Sequence, residues 1–250
     1  MKYFKSLNIL ILAFVTLASS LHALAEPAKM PSRIQLTYAV TKDGQPFATV
    51  KEQFSITANN YTLESTTKGL GVYALFGERK LISQGTVNEQ GLKPNHFELH
   101  QGDNAKKSLI NEFDWASNTL NMTVKGKPKT VPLKAGTQDL ASFGYQFMYL
   151  AAAAPLKSAV TVLLTTGKKL DTYTYNIADN LETVTVKAEN GSETNYETLH
   201  LTEKTSEAEQ GKEEKALWLS TKHYYLPVRI VLKDENGVRL EQTLTSLQTE

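Results

Sequence analysis

Apolar residues recur at every second position through most of the chain. Ile34, Leu36, Tyr38 and Val40 share one face of an extended segment, and Gln35, Thr37 and Ala39 share the other. The same alternation returns at Val160, Val162 and Leu164, at Tyr173, Tyr175 and Ile177, at Val184 and Val186, and at Val228, Ile230 and Leu232. Turn dipeptides separate these runs: Asp43-Gly44, Gln90-Gly91, Asn190-Gly191 and Asn236-Gly237. Asp-Gly and Asn-Gly tolerate the positive φ angles of tight hairpins. The pattern predicts roughly thirteen strands, given the usual uncertainty of boundaries. Short strands joined by hairpins imply a mainly β fold, a single curved antiparallel sheet forming an open or closed barrel.

Two segments depart from this period. Residues 137–154, TQDLASFGYQFMYLAAAA, place Leu140, Phe143, Phe147, Leu150 and Ala154 at helical spacing. Thr137 suits a helix cap, Asp139 brings negative charge to the first turn, and Pro155 ends the pattern. The predicted helix therefore runs from 138 to 154. Its other side carries Ser142, Tyr145, Gln146 and Tyr149 and no charge. A helix without a charged face is covered on most sides, so this one is expected inside the curved sheet or across its mouth. The second segment, 69–77, reads GLGVYALFG. It is too glycine-rich for a stable strand and too apolar for an ordinary exposed loop, which suggests an apolar flap over the sheet opening.

The N-terminus adds a compartment. Lys2 and Lys5 precede an uncharged, mostly apolar run, and Ala23-Leu24-Ala25 offers small residues where a signal peptidase cuts. Residues 1–25 read as a secretory signal peptide cleaved after Ala25, 26–32 as a linker, and 33–250 as a single β-rich exported domain, periplasmic or secreted. Cleavage removes two lysines and no acid, taking the formal charge from +1 to −1. A near-neutral chain without a basic cluster has no electrostatic footprint for nucleic acid or for an anionic membrane. There is no cysteine, so no disulfide staples the fold in an oxidising compartment. The uncharged run 140–156 is shorter than the roughly 20 residues of a membrane-crossing helix. Charged and polar residues such as Lys51, Gln53, Glu182 and Lys187 on the strand faces also exclude the continuous apolar band of an outer-membrane barrel. Residues 203–215, EKTSEAEQGKEEK, contain no large apolar side chain and read as a solvated loop between two strands.

Candidate chemistry is sparse. His96, Glu98 and His100 alternate, so they share one face of a strand. Imidazoles and a carboxylate are zinc-ligand types, but same-face neighbours stand about 6.5–7 Å apart. The three cannot converge on one ion without a bend, and they read as the polar face of an amphipathic strand; no metal is assigned. No G-x-S-x-G elbow is present and no cysteine nucleophile exists. Ser142 has no histidine near it in sequence, and Asp139 reads as a helix-start carboxylate. His200 and His223 read as ordinary strand residues. Gly69-Leu70-Gly71 lacks the third glycine of a dinucleotide fingerprint. No catalytic residue and no cofactor are expected. The apolar helix and flap remain. Leu70, Val72, Tyr73, Leu75, Phe76, Phe143, Tyr145, Phe147 and Tyr149 are the candidate ligand-binding residues, bounding a cleft for an acyl chain or similar molecule.

Several short motifs carry a resemblance: Tyr61 with Gly69-Leu70, Gly91-Leu92-Lys93-Pro94, Phe113-Asp114-Trp115, the run from Gly136 to Ser142, and Leu217-Trp218-Leu219 leading to Leu226-Pro227-Val228-Arg229-Ile230. Together they make the chain resemble the exported bacterial domains of unknown function family 3108 (DUF 3108). The resemblance implies a secreted or periplasmic β-rich domain and brings no catalytic residues. The expected architecture is also remotely similar to the periplasmic carriers of the lipoprotein localisation pathway, a likeness that does not fix function. The function expected is non-enzymatic binding of an apolar or amphiphilic envelope ligand such as a lipid. The alternative is a structural or adaptor protein that binds another cell-envelope protein through a sheet edge or the flap.

Overall fold

Among the described residues sixteen strands pair into one sheet that rolls over on itself without closing. The computed structural model describes residues 30–102, 108–188, 190–205 and 214–250, so the expected signal peptide and most of the linker lie outside the described residues. The first half contributes β1 (Arg33–Lys42), β2 (Gln45–Thr57), β3 (Asn60–Gly69), β4 (Arg79–Asn88), β5 (Gly91–Gln101), β6 (Leu109–Asp114), β7 (Thr119–Val124) and β8 (Lys127–Pro132). A two-residue strand, β9 (Gln138–Asp139), precedes the helix α1 (Phe143–Ala153). The second half contributes β10 (Ala159–Thr165), β11 (Leu170–Ile177), β12 (Glu182–Lys187), β13 (Glu193–Glu203), β14 (Glu214–Ser220), β15 (Pro227–Lys233) and β16 (Arg239–Thr249). The spatial order is β8-β7-β6-β5-β4-β3-β2-β1-β16-β15-β14-β13-β11-β10-β9, with β12 as a branch on β13.

The strand pattern is physical and local. Ile34, Leu36, Tyr38 and Val40 are all buried, as their alternation predicts. The β1–β2 hairpin turns on Asp43 and Gly44, at φ 49° and 77°, the positive angles that a two-residue loop requires. Register slips at Thr37/Tyr38, Val40/Thr41, Gln84/Gly85 and Trp218/Leu219 interrupt the ladders. Such bulges bend a strand and sharpen its twist, which rolls a long sheet. β14 is buried on both faces: Leu217 and Leu219 pack with Phe147 of the helix, while Ala216 and Trp218 join the cluster of Val184, Val186 and Val231.

Rolling brings the β9 end of the sheet against β4, β5 and β6. Gln138 Nε2 donates to Leu92 O at 2.8 Å, and Ser83 Oγ donates to Asp139 Oδ2 at 2.6 Å. Thr165 Oγ1 donates to Asn111 Oδ1 at 3.2 Å, and Asn111 Nδ2 to Gly167 O at 3.3 Å. These side chains are fully buried, so the bonds satisfy groups that would otherwise cost about 1–3 kcal/mol each. The helix lies along the same hollow side. Tyr145 and Met148 enter the larger core cluster and Phe147 the smaller. Gln146 ties it to the β4–β5 hairpin, accepting from Leu92 N and donating to Gln90 O, both at 2.8 Å.

Four expectations need correction. Sixteen strands among the described residues exceed the thirteen predicted. The helix begins at Phe143 and not at 138, because Gln138 and Asp139 pair in parallel with Leu164 and Thr165 of β10. His223 belongs to the tight connection between β14 and β15, where Tyr224 and Tyr225 both have positive φ, and its Nδ1 meets Ser220 Oγ at 2.8 Å. Of the loop expected at 203–215, Glu203 ends β13 while Glu214 and Lys215 begin β14; 206–213 lie outside the described residues.

Candidate functional site

A cavity of about 330 Å³ lies between the start of α1 and the hollow side of the sheet. Its walls are mostly apolar, with Leu81, Leu140, Phe143, Leu164, Leu217 and Ile230 among them. Phe143 is held by the ring of Phe147 at 5.2 Å and stacks on Tyr175 at 5.8 Å. Three charged residues also reach these walls: Lys215 of β14, which pairs with Glu203 at 2.9 Å, and two at positions whose neighbours face the core. On β2 the inward row is Ala48, Val50, Glu52 and Phe54; on β4 it is Arg79, Leu81, Ser83 and Gly85. Glu52 and Arg79 both line the cavity.

Glu52 accepts from Ser65 Oγ at 3.2 Å and from Tyr145 OH at 3.1 Å. Burial raises its pKa to about 6 against the pull of those two bonds. The folded protein therefore holds this proton to higher pH than the unfolded chain. The carboxyl costs nothing below about pH 4, and its cost grows as pH rises towards 6 and stays near 2 kcal/mol beyond. Glu52→Gln is expected to raise stability by about 1–2 kcal/mol at pH 8 and to leave it unchanged below pH 4. Thermal unfolding at the two pH values checks this, and equal shifts at both would refute it.

Asp139 is also buried, with its pKa raised to about 6 by desolvation. Its carboxylate accepts from Ser83 Oγ and from the backbone N–H of Ala141 and Ser142, both at 2.9 Å. Tyr61 OH meets Ser83 Oγ at 2.9 Å. This network caps the turn entering the helix and does not face the cavity.

Of the nine residues expected to bind a ligand, Phe143 lines the cavity. Tyr145 stands behind its wall, stacked on Phe54 at 4.9 Å and bonded to Glu52. Phe147 is fully buried and Tyr149 half-buried, both off the cavity. The apolar segment forms a 3₁₀ turn, Gly71–Phe76, in which Leu75 is 88% exposed. Tyr73 packs edge-on against Phe47 at 4.6 Å. Leu70, Val72, Tyr73, Leu75 and Phe76 do not line the cavity. Sequence reasoning missed Glu52 and Arg79. The signal for Glu52 was its place in the apolar phase between Val50 and Phe54.

His96, Glu98 and His100 do share a face, and Glu98 bridges the two imidazoles at 2.7 and 2.5 Å. His96 also meets Glu112 at 2.7 Å. Burial opposes protonation of His96, yet its carboxylate partners outweigh that and hold its pKa above the ordinary value. The bond from His100, with help from His96, holds Glu98 below the usual carboxylate range. Among the described residues no group of His, Asp and Glu is arranged to hold a metal ion. No helix there is long and apolar enough to cross a membrane.

Fold and cavity define a class: an open, barrel-like β-sheet protein with a mainly apolar cavity beside the helix α1. The family model "Protein of unknown function (DUF3108)" matches residues 33–245, and the chain belongs to that family. No curated protein sequence matches it. Among solved structures it is similar to a beta-barrel-like protein of Domain of Unknown Function DUF1849 from Brucella abortus, with a TM-score of 0.54 and 12% identity over 89% of this chain and 99% of that one. At that identity the likeness establishes the fold. A DUF1329 family protein from Desulfovibrio piger matches at a TM-score of 0.22 and 9% identity, over 88% of this chain and 87% of that one.

Proposed function

We propose that the protein is an exported, non-enzymatic binder of an apolar or amphiphilic envelope ligand, held in the cavity between α1 and the sheet. The observation that carries this reading is the cavity of about 330 Å³ with its mainly apolar wall, a size and lining typical of small-molecule sites. The basic and then apolar N-terminal run supports export. Glu52 is the lone carboxyl on the cavity wall among the described residues, where it stands with the cationic Arg79 and Lys215.

A fluorescent fatty-acid probe is expected to bind one-to-one and to be displaced by unlabelled fatty acid. Ile230→Trp, which adds bulk to the wall, should reduce that binding at least tenfold, the equivalent of about 1.4 kcal/mol. Its circular dichroism should stay that of the parent. Failure of the parent to take up the probe, or full binding by the filled variant, would remove the proposal.

A further inference from the structure

Arg79 stands at the first position of β4, on the inward row, where it is half-buried. Among the described residues its guanidinium has no hydrogen bond and no ion pair. The other half-buried arginines behave differently: Arg229 meets Glu241 at 2.7 Å, and Arg239 pairs with the same carboxylate. Burial draws the pKa of Arg79 below its ordinary value. A cation that gives up part of its hydration without gaining a partner is a cost to the fold.

Its surroundings indicate what would offset that cost. Arg79 lines the apolar cavity and also an adjoining pocket of about 440 Å³, and Leu140 and Thr166 line both. The charged residues around the second pocket are Arg79, Lys125 and Lys168, with no acid among its described lining residues. Leu99 and Leu109 complete its apolar side. Glu52 does not neutralise this cup. Arg79 pairs with Thr67, which pairs with Val50, so Glu52 lies two strands away and one same-face step along. Two strand spacings alone are about 9–10 Å.

We propose that the ligand is an anionic amphiphile, with its acyl chain in the apolar cavity and its oxyanion headgroup paired with Arg79 in the cup that Lys125 and Lys168 complete. The proposal rests on the cavity-binding reading above and adds the headgroup. Carboxylate and phosphate share the required chemistry, since a guanidinium fork bonds either through two parallel N–H donors. A half-buried arginine offers such bonds in a setting less screened than bulk water.

The test uses the full chain at pH 8 and low salt with three ligands of equal chain length: a fatty acid, a lysophosphatidic acid and an uncharged alkyl maltoside. The anionic ligands should bind more tightly than the maltoside, and the stronger of the two identifies the headgroup source. Arg79→Gln should weaken the anionic ligands roughly 10- to 100-fold, the range of a charge-assisted hydrogen bond, while the maltoside changes less than twofold. Equal binding of charged and uncharged ligands, or an unaltered Arg79→Gln variant, overturns the headgroup assignment and leaves the cavity reading standing. Absence of binding by all three overturns the cavity reading itself. Should Arg79→Gln fail to fold, Lys125→Gln/Lys168→Gln and a salt titration of the parent decide: anionic binding that is insensitive to both refutes the proposal.

Discussion

Phe147→Ala should destabilise the protein by about 4 kcal/mol, within the range for emptying a buried aromatic site. Phe147 has 0% exposure and is the fully buried helix residue in the cluster of Tyr175, Ile177, Leu199, Leu201, Leu217 and Leu219. The cluster draws on the helix and on three sheet strands, β11, β13 and β14, and strand backbones held by ladders on both sides cannot collapse onto the vacated space. The cavity term is therefore nearly full. At about 2–4 °C per kcal/mol for a chain of this size, the melting temperature should fall by roughly 8–16 °C. A second effect follows from the ring contact at 5.2 Å between Phe147 and Phe143. Phe143 loses its support against the cavity wall, so probe affinity should drop together with stability. Phe147→Leu, which keeps most of the volume, should lose less of both. Calorimetry of the two variants is the check; an alanine variant within 1 kcal/mol of the parent would mean that α1 is not anchored by this ring.

What could be read from the chain alone was set by local chemistry. The face of β1 was legible because its alternation is strict, and Asp43-Gly44 marked its turn because few other dipeptides tolerate two positive φ angles. The helix was legible as an element, and Asp139 as the carboxylate at its start. Its first residue was not, since Gln138 and Asp139 answer to β10, a parallel pairing with residues 26 positions later in the chain. Non-local ladders override helical spacing without leaving a local mark. Glu52 was visible in principle: with Lys51 and Gln53 on the polar face of β2, a glutamate in the opposite phase is a charge aimed at the core. Arg79 left no comparable sign. Its row runs Arg79, Leu81, Ser83, Gly85, and one leucine among polar and small residues defines no inward face. The segment at 69–77 shows the reverse limit. Apolar composition implied cover over an opening, but composition has no direction, and the turn leaves Leu75 and Phe76 in solvent beside the strands it joins.

Gly85→Ala should cost about 3 kcal/mol, the top of the usual overpacking range, although it adds a single methyl group. The reason lies in the register slip between β4 and β5. Gln84 pairs with His96 and Gly85 with Pro94, so Asn95 is the extra residue of a bulge. The bend brings the β5 backbone beneath Gly85. A Cβ there would stand 2.2 Å from Lys93 O, 2.8 Å from Pro94 Cα and 2.8 Å from Tyr61 Cε1. Two of these atoms are backbone and cannot rotate away. Retreat of β5 would strain the ladder that shapes the roll, and displacement of Tyr61 would part it from Ser83 and so from the buried Asp139. Space, not backbone angle, is what demands glycine here, since Gly85 does not have positive φ. Gly144→Ala supplies the contrast. Its Cβ would meet Pro227 Cγ at 3.3 Å, the movable edge of a side-chain ring, and alanine favours the helix by nearly 1 kcal/mol over glycine. That variant should match or slightly exceed the parent. Denaturant unfolding of both variants separates the cases. A Gly85→Ala protein within 1 kcal/mol of the parent would show that β4 and β5 do not pack this closely, and that the sheet owes its curl to something other than the bulge at Asn95.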